Sequence, residues 1–260
     1  MERLTYESPQ ALDQHWIVDS EKDEGNPDPI RDFPREQVAH EFGYYASVRW
    51  DVISLIPSGV QSVLEVGCGA GGTGRALKEL GIGHTIGLEL NPAIAEVART
   101  HYDRLLIGDA ETMPMDSIPR QSLDCILYPD VLEHFRDPWL VFERNLDLLR
   151  PGGYVVASIP NVRYYRAVKG LVLRGEWEYQ DAGILDRGHL RFFTLKSILR
   201  LFEENGLTIL TLKANTRGSH LLKLANWMSL NRLAPFLVKQ YVVLGRKDDR
   251  GPLSGLHRWP

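Results

Sequence analysis

Glu65 stands two residues ahead of Gly67, in the stretch Val63-Leu64-Glu65-Val66-Gly67-Cys68-Gly69-Ala70-Gly71-Gly72, where four glycines crowd into six positions. Each glycine removes a Cβ that would collide with a closely approaching ligand, and a helix start just downstream presents unpaired N–H groups. Strand, glycine turn and helix in that order is the form a backbone takes to pass close to a nucleotide-like ligand. Glu89 follows Gly67 by about twenty residues, where a ribose-binding carboxylate is expected. Asp109, Asp130, His134 and His189 complete the set of side chains able to orient a polar ligand or accept a proton. Gly67, Gly69 and Gly72 also satisfy the dinucleotide pattern G-x-G-x-x-G, which alone fits an ordinary tight turn or a NAD(P)-dependent oxidoreductase.

These groups need a frame. Apolar runs at Val63–Val66, His84–Leu88, Arg104–Ile107, Leu123–Leu127 and Tyr154–Ile159 read as strands, and helical patterns lie between them. Helices are expected over Thr73–Leu80, after Asn91-Pro92, from Asp137-Pro138 to Arg150, and over Leu195–Asn205 with Thr194 as cap and Gly206 as terminator. Pro151-Gly152-Gly153 is expected to end the third of these and turn the chain. A further helix is expected from Glu36 to Ile56, stopped by Pro57-Ser58-Gly59, with Tyr44 and Arg49 either packing against the sheet or touching ligand. Leu207–Leu212 and Gln240–Gly245 read as the last two strands. The alternation predicts an α/β, Rossmann-like, doubly wound sheet of seven mostly parallel strands, with ligand outside the carboxyl ends where strand order reverses. Glu65, Glu89, Asp109 and Asp130 all fall at such ends.

Residues 1–35 are polar and read as an arm, 36–247 as the ligand-binding domain, and 248–260 as a loose tail. Two insertions, at about 160–194 and 218–238, are read as helical caps. The totals are those of a soluble protein: 260 residues, 43% apolar, 25% charged and net charge −4. The mild acidity argues against a nucleic-acid partner. Cys68 and Cys125 are far apart and offer no metal spacing, which fits a reducing compartment. Cys68 reads as a small packing residue. Without a signal core or a run of membrane-spanning length, the expected location is cytoplasmic, or peripheral to a membrane.

The glycine stretch resembles the first motif of the class I S-adenosylmethionine (SAM)-dependent methyltransferases: an acid, any residue, then G-x-G-x-G, matched by Glu65, Gly67, Gly69 and Gly71. The resemblance runs from about Val60 to Gly245. It implies SAM as cofactor, with the glycine loop around Cys68 wrapping its methionine half. Glu89, with Leu90 beside it, would hold the ribose hydroxyls. Asp109 would meet the adenine amino group, Ala110 would lie beside the ring, and Asp130 would face the cofactor at the end of the fourth strand. The phrase Leu149-Arg150-Pro151-Gly152-Gly153 is also similar to the family's, as is a last strand lying antiparallel beside the fifth. Asp130, Glu133 and His134 resemble a metal-binding cluster of ubiquinone-pathway O-methyltransferases, with Asp130 where a glutamate stands in that family. The segment His189-Leu190-Arg191-Phe192-Phe193-Thr194 is similar to phrases in methyltransferases of bacterial glycan and natural-product pathways.

Methyl transfer from a sulfonium is an in-line displacement, so the protein aligns nucleophile, carbon and sulfur and excludes water. A hydroxyl acceptor also needs a base, and His189 and His134 are the candidates. The insertions are expected to choose the acceptor, a small molecule or glycan, through Arg163, Tyr164 and Arg191. Arg163, Arg166, Lys169 and Arg174 lie in one acid-free run among apolar residues, and 213–239 holds a second such region. These are either solvated cap helices or basic, amphipathic contacts with an anionic or lipid-linked acceptor at a membrane surface. A SAM-binding subunit without catalysis is the remaining alternative.

Overall fold

The computed structural model describes residues 18–19, 47–216, 226–228, 230 and 232–248. Its strands are β1 (Val18–Asp19), β2 (Ser62–Val66), β3 (His84–Glu89), β4 (Arg104–Ile107), β5 (Leu123–Pro129), β6 (Leu149–Pro160), β7 (Leu207–Thr216) and β8 (Val238–Lys247). Its helices are α1 (Trp50–Ile53), α2 (Gly72–Glu79), α3 (Pro92–Ala98), α4 (Pro138–Leu146), α5 (Tyr165–Arg174), α6 (Leu195–Glu204) and α7 (Ala234–Leu237).

The strands form one sheet in the order β1-β7-β8-β6-β5-β2-β3-β4. Seven are the expected strands, and β8 runs antiparallel between β6 and β7. The eighth was not expected: Val18 and Asp19, within the segment read as an arm, pair in parallel with Lys213 and Ala214 at the sheet edge. Every residue of β5 is buried, as a strand covered on both faces requires. Successive residues then serve opposite layers. Ile126 and Tyr128 pack with Leu64 and Val66 against Val141 and Phe142 of α4 and Ile198 and Phe202 of α6. Cys125 and Leu127 pack with Val63 against Val52 and Ile53 of α1 and Ala76 and Leu77 of α2. Strand order reverses between β2 and β5, so the crevice opens where their carboxyl ends part.

Three boundaries differ from expectation. Helix α4 ends at Leu146 rather than Arg150, and the strand following it begins at Leu149. Pro151-Gly152-Gly153 therefore lies inside β6, where Gly152 at φ +72° accompanies a register shift between the Leu123 and Cys125 pairings. Among the described residues, α1 covers only Trp50–Ile53, and the expected helix over 36–46, with Tyr44, lies outside them. Strands β7 and β8 pair as far as Thr216 with Val238, so each runs beyond its expected range of Leu207–Leu212 and Gln240–Gly245. About half of the second insertion, and the tail beyond Asp248, lie outside the described residues.

The first insertion contributes α5 and then a loop, 175–193, that returns to the end of β6 through an Asn161–Phe193 bridge. Thr194 and Ser197 then form a reciprocal capping box at the start of α6. No helix among the described residues is long and apolar enough to cross a membrane.

Candidate active site

The glycine loop is shaped by what packs behind it. Gly67 has φ +74°, and a Cβ there would lie 2.6 Å from Val131 Cγ2, so glycine alone lets this loop close against the loop after β5. The Gly67 and Cys68 amides both donate to the Leu88 carbonyl, at 2.8 and 3.0 Å. Tyr102 fills the space over α2, where a Cβ on Gly74 would be 2.2 Å from its ring. The same tyrosine donates its hydroxyl to Glu65 at 2.6 Å. Glu65 is 2% exposed. Burial pushes its carboxyl up to about 7, against the lowering pull of the Tyr102 and Thr73 hydroxyls and of Arg49.

Glu89 closes β3 and joins two elements. Its Oε2 accepts from the Gly69 amide and its Oε1 from the Asn91 amide, both at 2.9 Å. Asn91 caps α3 in turn, its side chain accepting from the Ala93 and Ile94 amides. Each Glu89 oxygen keeps a further lone pair for a hydroxyl donor. Asp109 Oδ1 accepts from the Glu111 amide at 2.8 Å, which tightens the turn after β4. Ala110 is buried, and Arg144 donates to its carbonyl. Leu90 is 66% exposed. Cys68 packs with Ala98 and Tyr102, and burial pushes its thiol well up, so it serves as the packing residue expected.

The crevice continues past β5. Asp130 has φ +52° and is held on both oxygens. Arg49 binds Oδ2, while Ser158 donates to Oδ1 at 2.9 Å and Gln240 donates to the same atom. Arg49 also binds Asp51 and reaches the Ser158 hydroxyl at 2.7 Å, so it is a clasp between α1 and the strand ends.

Next come Glu133 and His134 in a short 3-10 turn, Leu132–His134. The loop before α6 is laced to this turn: the Leu190 and Arg191 amides donate to the Glu133 carbonyl at 2.8 and 3.0 Å. His134 Nδ1 lies 3.0 Å from the Gly188 carbonyl, and His189 Nδ1 lies 2.9 Å from that of Ile184. A carbonyl only accepts, so each Nδ1 carries the proton and each Nε2 is a bare lone pair in the neutral ring. The two rings meet edge to face at 4.8 Å. Burial and the neighbouring His189 lower the His134 pKa. His189 Nε2 is 3.9 Å from Glu133 Oε1, too far for a hydrogen bond. Glu133 is 2% exposed, and neither of its carboxyl oxygens has a hydrogen-bond partner. Burial, then the charge of Asp130, pushes its carboxyl well above the usual range.

Residues 28–212 match the model of a methyltransferase domain family. The chain belongs to this family. It is a class I SAM-dependent methyltransferase, and the NAD(P)-dependent oxidoreductase expectation is set aside. Curated relatives include the ubiquinone biosynthesis O-methyltransferases of Nitrobacter winogradskyi, 31% identical over 151 residues, and of Cereibacter sphaeroides, 29% identical over 149. Each match covers 56% of this chain, and 56% and 57% of the relatives, so the methyltransferase spans about half their length. Solved structures share the fold. A SAM-dependent methyltransferase from Archaeoglobus fulgidus superposes with TM-score 0.55 at 19% identity, over 73% of this chain and 87% of that one. One from Mesorhizobium loti gives 0.53 at 17%, over 76% and 96%.

In this methyltransferase the expected acids do share one sheet edge, but they are not equivalent. Of the residues expected at the acceptor, Tyr164 is buried against Ala167, Ile184 and Leu185. Arg163 lies over the Phe236 ring at 4.7 Å. Arg191 donates to the Arg136 carbonyl and lies 5.8 Å from the Trp139 ring centroid. Tyr164 thus packs inside the first insertion, while the two arginines are engaged with aromatic rings. Tyr102, Ser158 and Gln240 were not anticipated. Tyr102 sits 37 residues from Glu65, and Gln240 sits 110 from Asp130, so only the folded sheet brings them together.

Proposed function

We propose that this methyltransferase moves the SAM methyl group to a hydroxyl oxygen of a small-molecule or glycan acceptor, by in-line displacement. Glu65, Gly67, Gly69 and Gly71 cradle the methionine half, Glu89 takes the ribose hydroxyls with Leu90 at the rim, and Asp109 and Ala110 flank the adenine. Asp130 acts through Arg49, holding α1 against the crevice. The acceptor lies beside Glu133, His134 and His189, where its proton is received.

The observation that carries this reading is the pair of imidazoles whose Nδ1 protons are committed to backbone carbonyls, leaving both Nε2 lone pairs free beside the loop that abuts Gly67. An amine acceptor needs only to arrive neutral, whereas a hydroxyl gives up a proton as it gains the methyl group, and a positioned base accelerates that by about 100- to 10,000-fold. The relatives are named as O-methyltransferases, in keeping with oxygen as the nucleophile. The test is incubation of protein and methyl-labelled SAM with cell extract, followed by mass spectrometry of the labelled product. An O-methyl product, lost in His134→Gln with S-adenosylhomocysteine affinity retained, is expected. Label on nitrogen or carbon overturns the oxygen assignment.

An acceptor presented at an anionic membrane surface is the form of this reading favoured by the two insertions. Val172 and Leu173 at the end of α5 are 75% and 78% exposed, and Trp227, Met228 and Leu230 are similarly open. Arg166, Lys169 and Arg174 lie in α5, and the contacts of Asn161 with Pro235 and of Arg163 with Phe236 join the bases of the insertions. Apolar side chains among basic ones suit an anionic interface. Flotation with vesicles containing phosphatidylglycerol, but not with phosphatidylcholine alone, is the expected result.

A further inference from the structure

We propose that Arg144 of α4 is a positioning residue for recognition of the cofactor's adenine amino group, acting on Asp109 through two backbone peptides. Its role rests on the proposed place of adenine beside Asp109 and adds what holds that acid in its binding orientation.

Arg144 is half-buried, and 34 residues separate it from Ala110. Its Nη2 donates to the Ala110 carbonyl and its Nη1 to the Glu111 carbonyl at 3.3 Å. Both peptides return to Asp109 at their other end. The Glu111 N–H, which shares a peptide with the Ala110 carbonyl, donates to Asp109 Oδ1 at 2.8 Å. The Thr112 N–H, which shares one with the Glu111 carbonyl, donates to the Asp109 carbonyl at 3.1 Å. A trans peptide is planar, with C=O and N–H pointing opposite ways, so gripping one end aims the other. One guanidinium thereby directs two N–H groups, and these hold the side chain and the backbone of the same acid. Its charge also polarises each peptide and strengthens the hydrogen bond at the far end.

Two further observations separate this role from packing. Among the described residues the hydrogen bonds of Arg144 go to no carboxylate, and its Nε is buried without a partner. A partly desolvated cation with an orphan donor is costly, and an apolar side chain would serve packing better. The turn also has a second tie to α4 that needs no cation, since Glu111 Oε1 accepts from the Asp137 amide at 2.8 Å. With Oδ1 taken by an amide, Asp109 Oδ2 is left as the acceptor for an N–H donor. An ionised carboxylate only accepts, so it selects a 6-amino purine over a 6-oxo purine, whose O6 is itself an acceptor. Fixing the carboxylate's rotation from α4 is what sharpens that selection.

The test is calorimetry of S-adenosylhomocysteine against S-inosylhomocysteine, the same molecule with a 6-oxo purine, on the full chain. The unaltered protein should prefer the adenosyl form by about 100-fold, with a charge-assisted hydrogen bond on one side and opposed acceptors on the other. Arg144→Met and Arg144→Gln should each cut that preference by at least about tenfold. Arg144→Lys, which restores a cationic donor, should hold it within about threefold of the unaltered value. Glu111→Ala cuts the other tie to α4 but keeps both peptides, so the preference should move by less than about threefold while the melting temperature falls. Melting temperatures report that each variant has folded. Asp109→Asn presents an amide donor to the base and should level or reverse the preference. Positioning by Arg144 is overturned, with the adenine placement intact, if Asp109→Asn levels a preference that folded Arg144→Met or Arg144→Gln keeps. It is equally overturned if Arg144→Lys loses as much as Arg144→Met, or if Glu111→Ala does. A preference untouched by Asp109→Asn instead sinks the adenine placement, and the role of Arg144 with it.

Discussion

Glu89 gives each of its oxygens to a backbone amide, whereas Glu133, beyond the neighbouring strand of the same crevice, gives neither of its oxygens to anything. The two acids mark two ways of building half a site. On the β2–β3 side, Glu89 is fixed by the glycine loop and by the residue that caps α3, and Glu65 by Tyr102, so that half is formed before ligand arrives and loses little order on binding. On the β5 side, a buried acid without a hydrogen-bond partner stands beside two imidazoles, one polar atom of each of the three lying within 4.8 Å of the others. That half is finished only by what it binds. Pre-organised geometry suits a cofactor met at every turnover, and an unfinished cluster suits the group on which the chemistry is done.

The sharpest way to break this contrast is to remove the anchor on the finished side. Glu89→Ala takes away two charge-assisted hydrogen bonds to amides together with the proposed ribose contacts. A loss of about 3 kcal/mol, or roughly 100-fold in S-adenosylhomocysteine affinity, is expected by calorimetry. Unchanged affinity would mean that Glu89 is a loop brace and no more.

Glu65 allows a test of nearly the same size. Its carboxyl is raised from 4.5 to about 7, chiefly by burial. A raised acid binds more protons folded than unfolded, so its effect on the ligand-free protein is a stability that falls as pH rises from about 4.5 to 7 and is level above that. The drop is at most about 3 kcal/mol, at 1.36 kcal/mol per pH unit. Thermal melts across that window should show the slope, and Glu65→Gln should flatten it. The cationic cofactor favours the carboxylate, so SAM affinity should rise through pH 7 with proton release. Calorimetry in buffers of different ionisation enthalpy measures that release.

On the unfinished side the expected sign reverses. Glu133→Leu replaces an unpartnered buried acid by an apolar side chain of similar size, which should stabilise the ligand-free protein by about 2 kcal/mol. The melting temperature should rise by several degrees while methyl transfer is lost. A destabilised variant would show that Glu133 has a structural partner after all.

The same contrast explains what could be read in the sequence. Glu65, the glycine loop, α2 and Glu89 lie within one β-α-β unit, where local turn chemistry and strand patterning speak directly. Asn91-Pro92 and Thr194 announced helix starts that the structure keeps. The acceptor side depends on contacts between distant segments. Arg49 reaches Asp130 across 81 residues, and His189 reaches Glu133 through an insertion whose path no periodicity specifies. Both histidines were visible as candidates, but their shared acid was grouped with Asp130, because adjacency in sequence was the available guide. The end of α4 was misplaced for a related reason: Pro151-Gly152-Gly153 stops a helix and equally forms a strand bulge, and pairing of Leu149 with Leu123 decides between them. Val18 and Asp19 join the sheet only because the edge of β7 is open to them.

The smallest effect separates bracing from binding on the finished side. Asn91 caps α3 with its side chain, but the atom that Glu89 holds is its backbone amide, which any residue other than proline supplies. Asn91→Ala should therefore remove a cap worth about 1 kcal/mol and lower the melting temperature by a few degrees. Because the Glu89 contacts to Gly69 and to the residue 91 amide survive, S-adenosylhomocysteine affinity should change by less than about threefold, within the 0.7 kcal/mol that such a ratio represents. A loss as large as that of Glu89→Ala would place the cofactor's hold in the order of the helix start, and the distinction between a finished and an unfinished half would then rest on α3 instead of on the carboxylate.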